Sequence, residues 1–149
     1  MNIKIASEED NNEWLRLRIA LWPDVSKTIH EKEISVMLSN PERFVSFIAF
    51  DVSNKSIGFI EVSVHEVIDE GCVVKHIGYI EALYVEPKYQ GKGFGSELIR
   101  LAEKWVSDQG LKEIAVDTNL DNIQGQNLYQ VLGYKEQDRL VLYRKGLNN

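Results

Sequence analysis

The sequence predicts an α+β fold, and three observations predict it. Three successive segments rich in β-branched and aromatic residues, 44–52, 57–67 and 77–85, are separated by polar stretches and read as an antiparallel meander. Segments with apolar residues at helical spacing precede and follow them. The 149-residue chain shows no internal repeat, low-complexity tract or linker, so one domain spanning 1–149 is expected.

The first strand is the short "IKI" at 3–5. Ser7 follows as a helix cap with Asp10 at the reciprocal capping position, and the helix sets Trp14, Leu17, Arg18 and Leu21 on one face until Pro23 stops it. A second helix is expected over 26–38. "SNKS" at 53–56 is a turn between the first two meander strands, and the polar "IDEGCVVKH" at 68–76 reads as a loop before the third. Over 94–109, Phe94, Leu98, Leu101, Ala102 and Trp105 mark one helical face, and Gly110 closes the helix. A strand at 114–117, a helix at 122–132 ended by Gly133, and a final hairpin over 134–144 complete the order.

Acidic side chains outnumber basic ones 23 to 17, giving a formal charge of −6. A nucleic-acid backbone is disfavoured as a partner and a cation is favoured. No apolar run approaches the ~20 residues that span a bilayer, and "MNIKIASEED" has no apolar signal core, so a cytoplasmic protein with no membrane partner is expected. Cys72 is the one cysteine, which excludes an internal disulfide and a thiolate zinc cluster. His30, His65 and His76 lack metal-ligand spacing; they receive no chemistry here, and no metal is expected.

The stretch Gln90-Gly91-Lys92-Gly93-Phe94-Gly95 joins a strand to a helix. Glycines there admit positive φ and close approach of a ligand, while the helix start offers unpaired N–H groups and the positive end of its dipole. Such a place suits a phosphate or pyrophosphate, the alternative being a plain tight turn. The stretch lacks the Gly-Lys-Ser/Thr ending of a nucleotide loop and the G-x-G-x-x-G of a dinucleotide fold.

Gln90, Gly93 and Gly95 match the pattern Q/R-x-x-G-x-G/A, and here the chain resembles the GCN5-related N-acetyltransferases. "YIEALYVEPKYQGKG" and "DNIQGQNLYQVLGY" resemble them too, as does the element order β-α-α-β-β-β-α-β-α-β-β. The resemblance implies a mixed, mostly antiparallel central sheet flanked by helices and splayed between its fourth and fifth strands. It implies acetyl-CoA as co-substrate, with the pantetheine arm against Leu83, Tyr84 and Val85 and the pyrophosphate held by Gln90, Gly91, Lys92, Gly93, Phe94, Gly95 and Ser96. Asn122 would lie on the far side of the co-substrate; the alternative is a helix-start residue.

Acetyl transfer to an amine needs a neutral nitrogen, yet an alkyl ammonium with a pKa near ~10.4 is almost wholly protonated at neutral pH, so a carboxylate is wanted nearby. Glu81, between apolar Ile80 and Ala82, is the candidate, whether it abstracts a proton or binds the amine; the alternative is a strand glutamate facing solvent. The resemblance assigns Tyr129, in "LYQVLGY", as the acid for the leaving thiolate, the alternative being a packed helix aromatic.

"WLRLRIALWPD", "YIEALYV", "AVDTNLDN" and "LGYKEQDRLVLYRK" resemble the aminoglycoside 6'-N-acetyltransferases. That resemblance implies a polycationic antibiotic as acceptor, met by Trp22, Glu81, Asp117 and Asp138, through direct attack in a ternary complex. Plain alternatives are a helix-end staple at Trp22, a turn cap at Asp117 and a surface ion pair at Asp138. The stretch 66–75 matches least well. The resemblance also implies a homodimer in which the closing hairpin takes part. Two rival readings are an acetyltransferase for another small cation such as a polyamine, and a noncatalytic acetyl-CoA-binding module.

Overall fold

The computed structural model describes residues 2–148 and divides into two units, Met1–Asp117 and Thr118–Asn149. In the first, strands β1 (Asn2–Ile5), β2 (Phe44–Phe50), β3 (Ser56–Ile68), β4 (Val74–Val85) and β5 (Ile114–Val116) form one sheet in that order. The first four pair antiparallel and β5 joins β4 parallel, which makes the sheet mixed, as expected.

Ser7 and Asp10 form the predicted capping box, but around a 3-10 turn, Glu8–Asp10, that leads into helix α1 (Asn11–Leu21). Helix α2 (Lys27–Ser39) starts on Ser26, whose side chain accepts from the Ile29 N–H. Trp14 and Leu17 of α1 and Ile34 of α2 pack with Ile48, Phe50, Phe59 and Ala82 of the sheet. Helix α3 (Phe94–Asp108) lies against β2, β3 and β4 and buries Leu98, Ile99, Ala102 and Val106. Because β2 buries every residue from Val45 to Phe50, and successive strand residues point to opposite faces, both faces of the sheet are covered. Gly78 permits this closeness: a Cβ there would come 2.3 Å from a Val106 methyl.

Two expectations are corrected. The loop expected over 68–76 is shorter: β3 reaches Ile68 and β4 starts at Val74, which confines the turn to 69–73, where Asp69 Oδ1 accepts from the N–H groups of Gly71 and Val73. Its polar side chains sit on a hairpin that extends beyond the covered part of the sheet, where strand residues stay exposed. Exposed Cys72 occupies the left-handed region there, with φ of 57°.

In the second unit, α4 (Ile123–Val131) starts on Asn122 and ends before Gly133, whose φ is +94°. The hairpin expected over 134–144 is absent: residues 134–148 form no strand. The four apolar residues Leu140, Val141, Leu142 and Tyr143 are consecutive rather than alternating, so no single strand face could bury them, and a lone hairpin is marginal in water. They stand in solvent, Leu142 and Tyr143 each at 86% exposure.

Candidate functional site

The sheet opens where the splay was expected. β5 pairs with β4 at three positions, Gly78 with Ile114, Tyr79 with Ala115 and Ile80 with Val116. β4 then continues to Val85 with pairs to β3 alone, so the main chain of 81–85 presents its second edge unpaired by strand. Leu83, Tyr84 and Val85 lie on this open stretch. Arg16 anchors its end, donating to Glu86 Oε1 at 2.8 Å and to Ser56 Oγ at 2.9 Å.

Glu81 stands at a defect in the ladder. Glu61 pairs with Ala82 and Val62 with Ile80, which leaves Glu81 as the extra residue of a β-bulge. Bulges re-aim side chains and are common beside active sites. Here the carboxylate turns towards β3, where Ser63 Oγ donates to Glu81 Oε1 at 2.5 Å and His65 Nε2 lies 2.6 Å from the same oxygen. Its side chain is 40% exposed. The His65 ring stacks on Tyr79, with centroids 4.4 Å apart and planes within 13°. Tyr79 in turn donates its hydroxyl to Asp117, at the end of β5. Burial, then the Asp117 hydrogen bond, pushes the Tyr79 hydroxyl far above its usual range, so it remains a donor at any working pH.

The glycine turn meets the demands of a diphosphate. Gly91 and Gly93 have φ of +77° and +89°, values that suit glycine. A Cβ at Gly91 would meet nothing within 4 Å. No side chain caps α3, in contrast with Ser26 on α2 and Asn122 on α4, so its first-turn N–H groups are left for a ligand. Gln90 donates from Nε2 to the Val85 carbonyl at 2.9 Å, tying the turn to the end of β4. Lys92 adds a cation 5.5 Å from the Tyr89 ring centre, and Tyr89 meets Phe94 edge-on.

The profile of the acetyltransferase (GNAT) family matches residues 8–134. The chain belongs to that family. It is 32% identical to the aminoglycoside N(6')-acetyltransferase type 1 of Serratia marcescens, over 97% of this chain and 99% of that one. It is 31% identical to the enzyme of the same name from Acinetobacter haemolyticus, over 99% and 100%. Among solved structures it resembles the 6'-N-acetyltransferase AAC(6')-IG of Acinetobacter haemolyticus, with a TM-score of 0.85 at 30% identity, covering 99% of this chain and 100% of that one. It also resembles AAC(6')-Iy in complex with the bisubstrate analogue CoA-S-monomethyl-acetylneamine, with a TM-score of 0.88 at 28% identity and 98% coverage of each chain.

The remaining predicted residues of this acetyltransferase fall in both units. In the first, Trp22 caps the end of α1; its ring stacks on His30 with centroids 6.3 Å apart, and the Arg18 guanidinium lies 5.0 Å from its centre. Asp117 accepts from Tyr79, an engagement its spacing gave no sign of. In the second, Asn122 caps α4 by accepting from the Gly125 N–H at 3.1 Å, and also donates to Thr118 Oγ1 at 2.8 Å. Tyr129 is buried and packs edge-on against Tyr134. Asp138 accepts from the Arg139 N–H, while the Arg139 guanidinium pairs with Glu136.

Sequence reasoning passed over His65 and Ser63, which hold Glu81. The available signal was their i, i+2 spacing, which places both on one face of β3; the bulge that brings Glu81 to them leaves no mark in the sequence. A groove of about 650 Å³ between the N-terminal turn, α1 and α2 is lined by none of the predicted site residues. Among the described residues, no group of three or more His, Cys, Asp or Glu side chains is arranged to hold a metal ion, and no helix is long and apolar enough to cross a membrane.

Proposed function

We propose that this acetyl-CoA-dependent N-acetyltransferase is an aminoglycoside 6'-N-acetyltransferase. The observation that carries the reading is the similarity to enzymes of that name over nearly the whole length of both chains. The site's chemistry agrees with it. The amine lone pair attacks the thioester carbonyl carbon, a C–N bond forms, the C–S bond breaks, the nitrogen gives up one proton, and the leaving thiolate takes one, so that an amide and a thiol result. Holding both reactants in line supplies roughly 7–11 kcal/mol of such a barrier. A substrate with several ammonium groups is attracted by the net charge of −6.

Within this reading Glu81 meets the reacting amine, Trp22 forms an aromatic wall for the cation, and Asp117 and Asp138 bind further amino groups. The open stretch 83–85 takes the pantetheine arm, and the turn 90–96 takes the pyrophosphate. The roles of Asn122 beside the co-substrate and of Tyr129 as acid for the thiolate rest on resemblance alone. The whole chain, 1–149, is one acetyltransferase domain in this reading, and its compartment is the cytoplasm.

The reading includes a homodimer. Leu140 to Tyr143 are four consecutive exposed apolar residues, a run that a soluble monomer seldom leaves uncovered, and a second copy would cover them. Sedimentation should give twice the chain mass of 17.1 kDa; a concentration-independent monomer refutes the dimer.

The deciding experiment follows thiol release from acetyl-CoA with aminoglycosides that bear a 6'-amine, with matched compounds bearing a 6'-hydroxyl, and with spermidine. Turnover confined to the 6'-amine compounds is the expected result. Turnover with spermidine alone would replace the acceptor, and silence with acetyl-CoA still bound would indicate a noncatalytic module.

A further inference from the structure

We propose that His65 is a positioning residue for Glu81, whose imidazole aims the carboxylate at the acceptor amine. The inference rests on the acetyltransferase reading, since it assigns Glu81 to the amine.

Both neighbours of the carboxylate bind one oxygen. Ser63 Oγ and His65 Nε2 lie 2.5 and 2.6 Å from Glu81 Oε1, and neither bond engages Oε2. An ionised carboxylate only accepts, so the imidazole carries its proton on Nε2 and donates it. With Oε1 pinned from two sides, Oε2 is the oxygen left to meet an ammonium. The ring has little freedom to do otherwise: Tyr79 stacks on it, and Asp117 fixes Tyr79 through its hydroxyl. Asp117, Tyr79, His65 and Glu81 thus form one run of contacts from β5 through β4 and β3 back to the bulge.

Other ionisable groups surround the ring. Glu81 and Tyr79 touch it from β4, and Asp117 stands behind Tyr79. The Glu66–His76 pair occupies the next rung of the β3–β4 ladder. Arg43, just before β2, accepts the neighbouring Val64 N–H on its carbonyl. The ring and Glu81 are both more than a third exposed, so an amine arriving from solvent can reach the carboxylate.

The test compares kcat and KM separately in the wild type, His65→Gln and His65→Phe, using whichever amine the wild type acetylates. Glutamine keeps an N–H donor. His65→Gln should retain most of the wild-type kcat, and His65→Phe should lose about 100-fold in kcat through misplaced Glu81. Equal kcat values for His65→Gln and His65→Phe overturn the proposal. Choosing a polyamine as the active substrate would sink the aminoglycoside reading and leave this comparison intact. If no amine is acetylated, the 15N spectrum of the ring decides: a neutral imidazole protonated at Nε2 that loses this preference in Glu81→Ala is expected, and a ring indifferent to Glu81 overturns the pairing.

Discussion

Arg18 Nη1 lies 2.5 and 2.6 Å from the two carboxylate oxygens of Glu61, with both side chains almost wholly withdrawn from solvent. Trp14 Nε1 donates to the same carboxylate at 2.9 Å, and Arg18 Nε donates to His30 Nδ1 at 3.1 Å. That acceptance fixes the His30 tautomer, so Nε2 carries the proton and donates to the Trp22 carbonyl at 3.2 Å. One buried network therefore ties α1, α2 and β3 to the tryptophan proposed for the substrate wall. Removing one partner of a buried pair strands the other charge, which typically costs about 3–5 kcal/mol. Arg18→Met should lower unfolding free energy by that order in urea titrations, and the double variant Arg18→Met/Glu61→Leu should recover most of it.

Gly91 separates backbone strain from crowding, because a side chain there would meet no neighbour. Gly91→Val places a β-branched residue at φ of +77° and should cost about 1–2 kcal/mol of stability. Gly91→Asn, which tolerates that region, should cost less. Both variants should weaken acetyl-CoA binding by calorimetry, valine more than asparagine. Equal stability for the two would contradict the conformational account.

Gly78 is the opposite case. Its added methyl would sit 2.3 Å from a Val106 methyl, and overpacking of a filled core costs typically about 1–3 kcal/mol. Gly78→Ala should therefore destabilise the sheet–α3 contact, and Val106→Ala should be milder in the Gly78→Ala background than alone. Additive losses across this double-mutant cycle would show that the contact is not the cause.

Acid should weaken the N-terminal turn first. Burial alone would push the Asp10 carboxyl up, but the Ser7 N–H and hydroxyl and the Lys4 ammonium outweigh it and hold the group below its ordinary value. A depressed carboxyl contributes stability that is complete above the unfolded value of about 3.9 and is lost as the pH falls through the lower folded value. Glu13 shifts the same way: burial raises it, and its Arg16 and Ser56 hydrogen bonds outweigh that. Urea midpoints should stay level from pH 7 to 5 and then decline. Asp10→Asn should lose about 1 kcal/mol at pH 7 as a damaged cap and show a shallower decline below pH 4.

Most of the fold was legible because its cues are local. Ser7 with Asp10, Ser26, Gly110 and Gly133 each mark an element boundary that the structure places within a residue or two. The glycine turn was legible for the same reason, as Gly91 and Gly93 declare their backbone angles. What escaped depends on partners distant in sequence. His65 and Glu81 are 16 residues apart and meet through a bulge. Arg18 fell on the predicted core face of α1, and Glu61 interrupts the apolar run "IGFIEVSV", yet nothing local said that the two charges neutralise each other 43 residues apart. The hairpin expected over 134–144 has as its apolar part the run Leu140 to Tyr143, which does not alternate and so specifies no strand face.

The β3–β4 turn has a practical consequence. Cys72 is the chain's one cysteine, and it is exposed at the tip of the hairpin whose inner strands carry His65 and Glu81. A maleimide dye will therefore attach at one known point without any engineered residue, and its fluorescence anisotropy reads the mobility of that tip directly. Bringing each candidate amine to the labelled protein turns the hairpin into its own reporter of acceptor capture, independent of acetyl transfer.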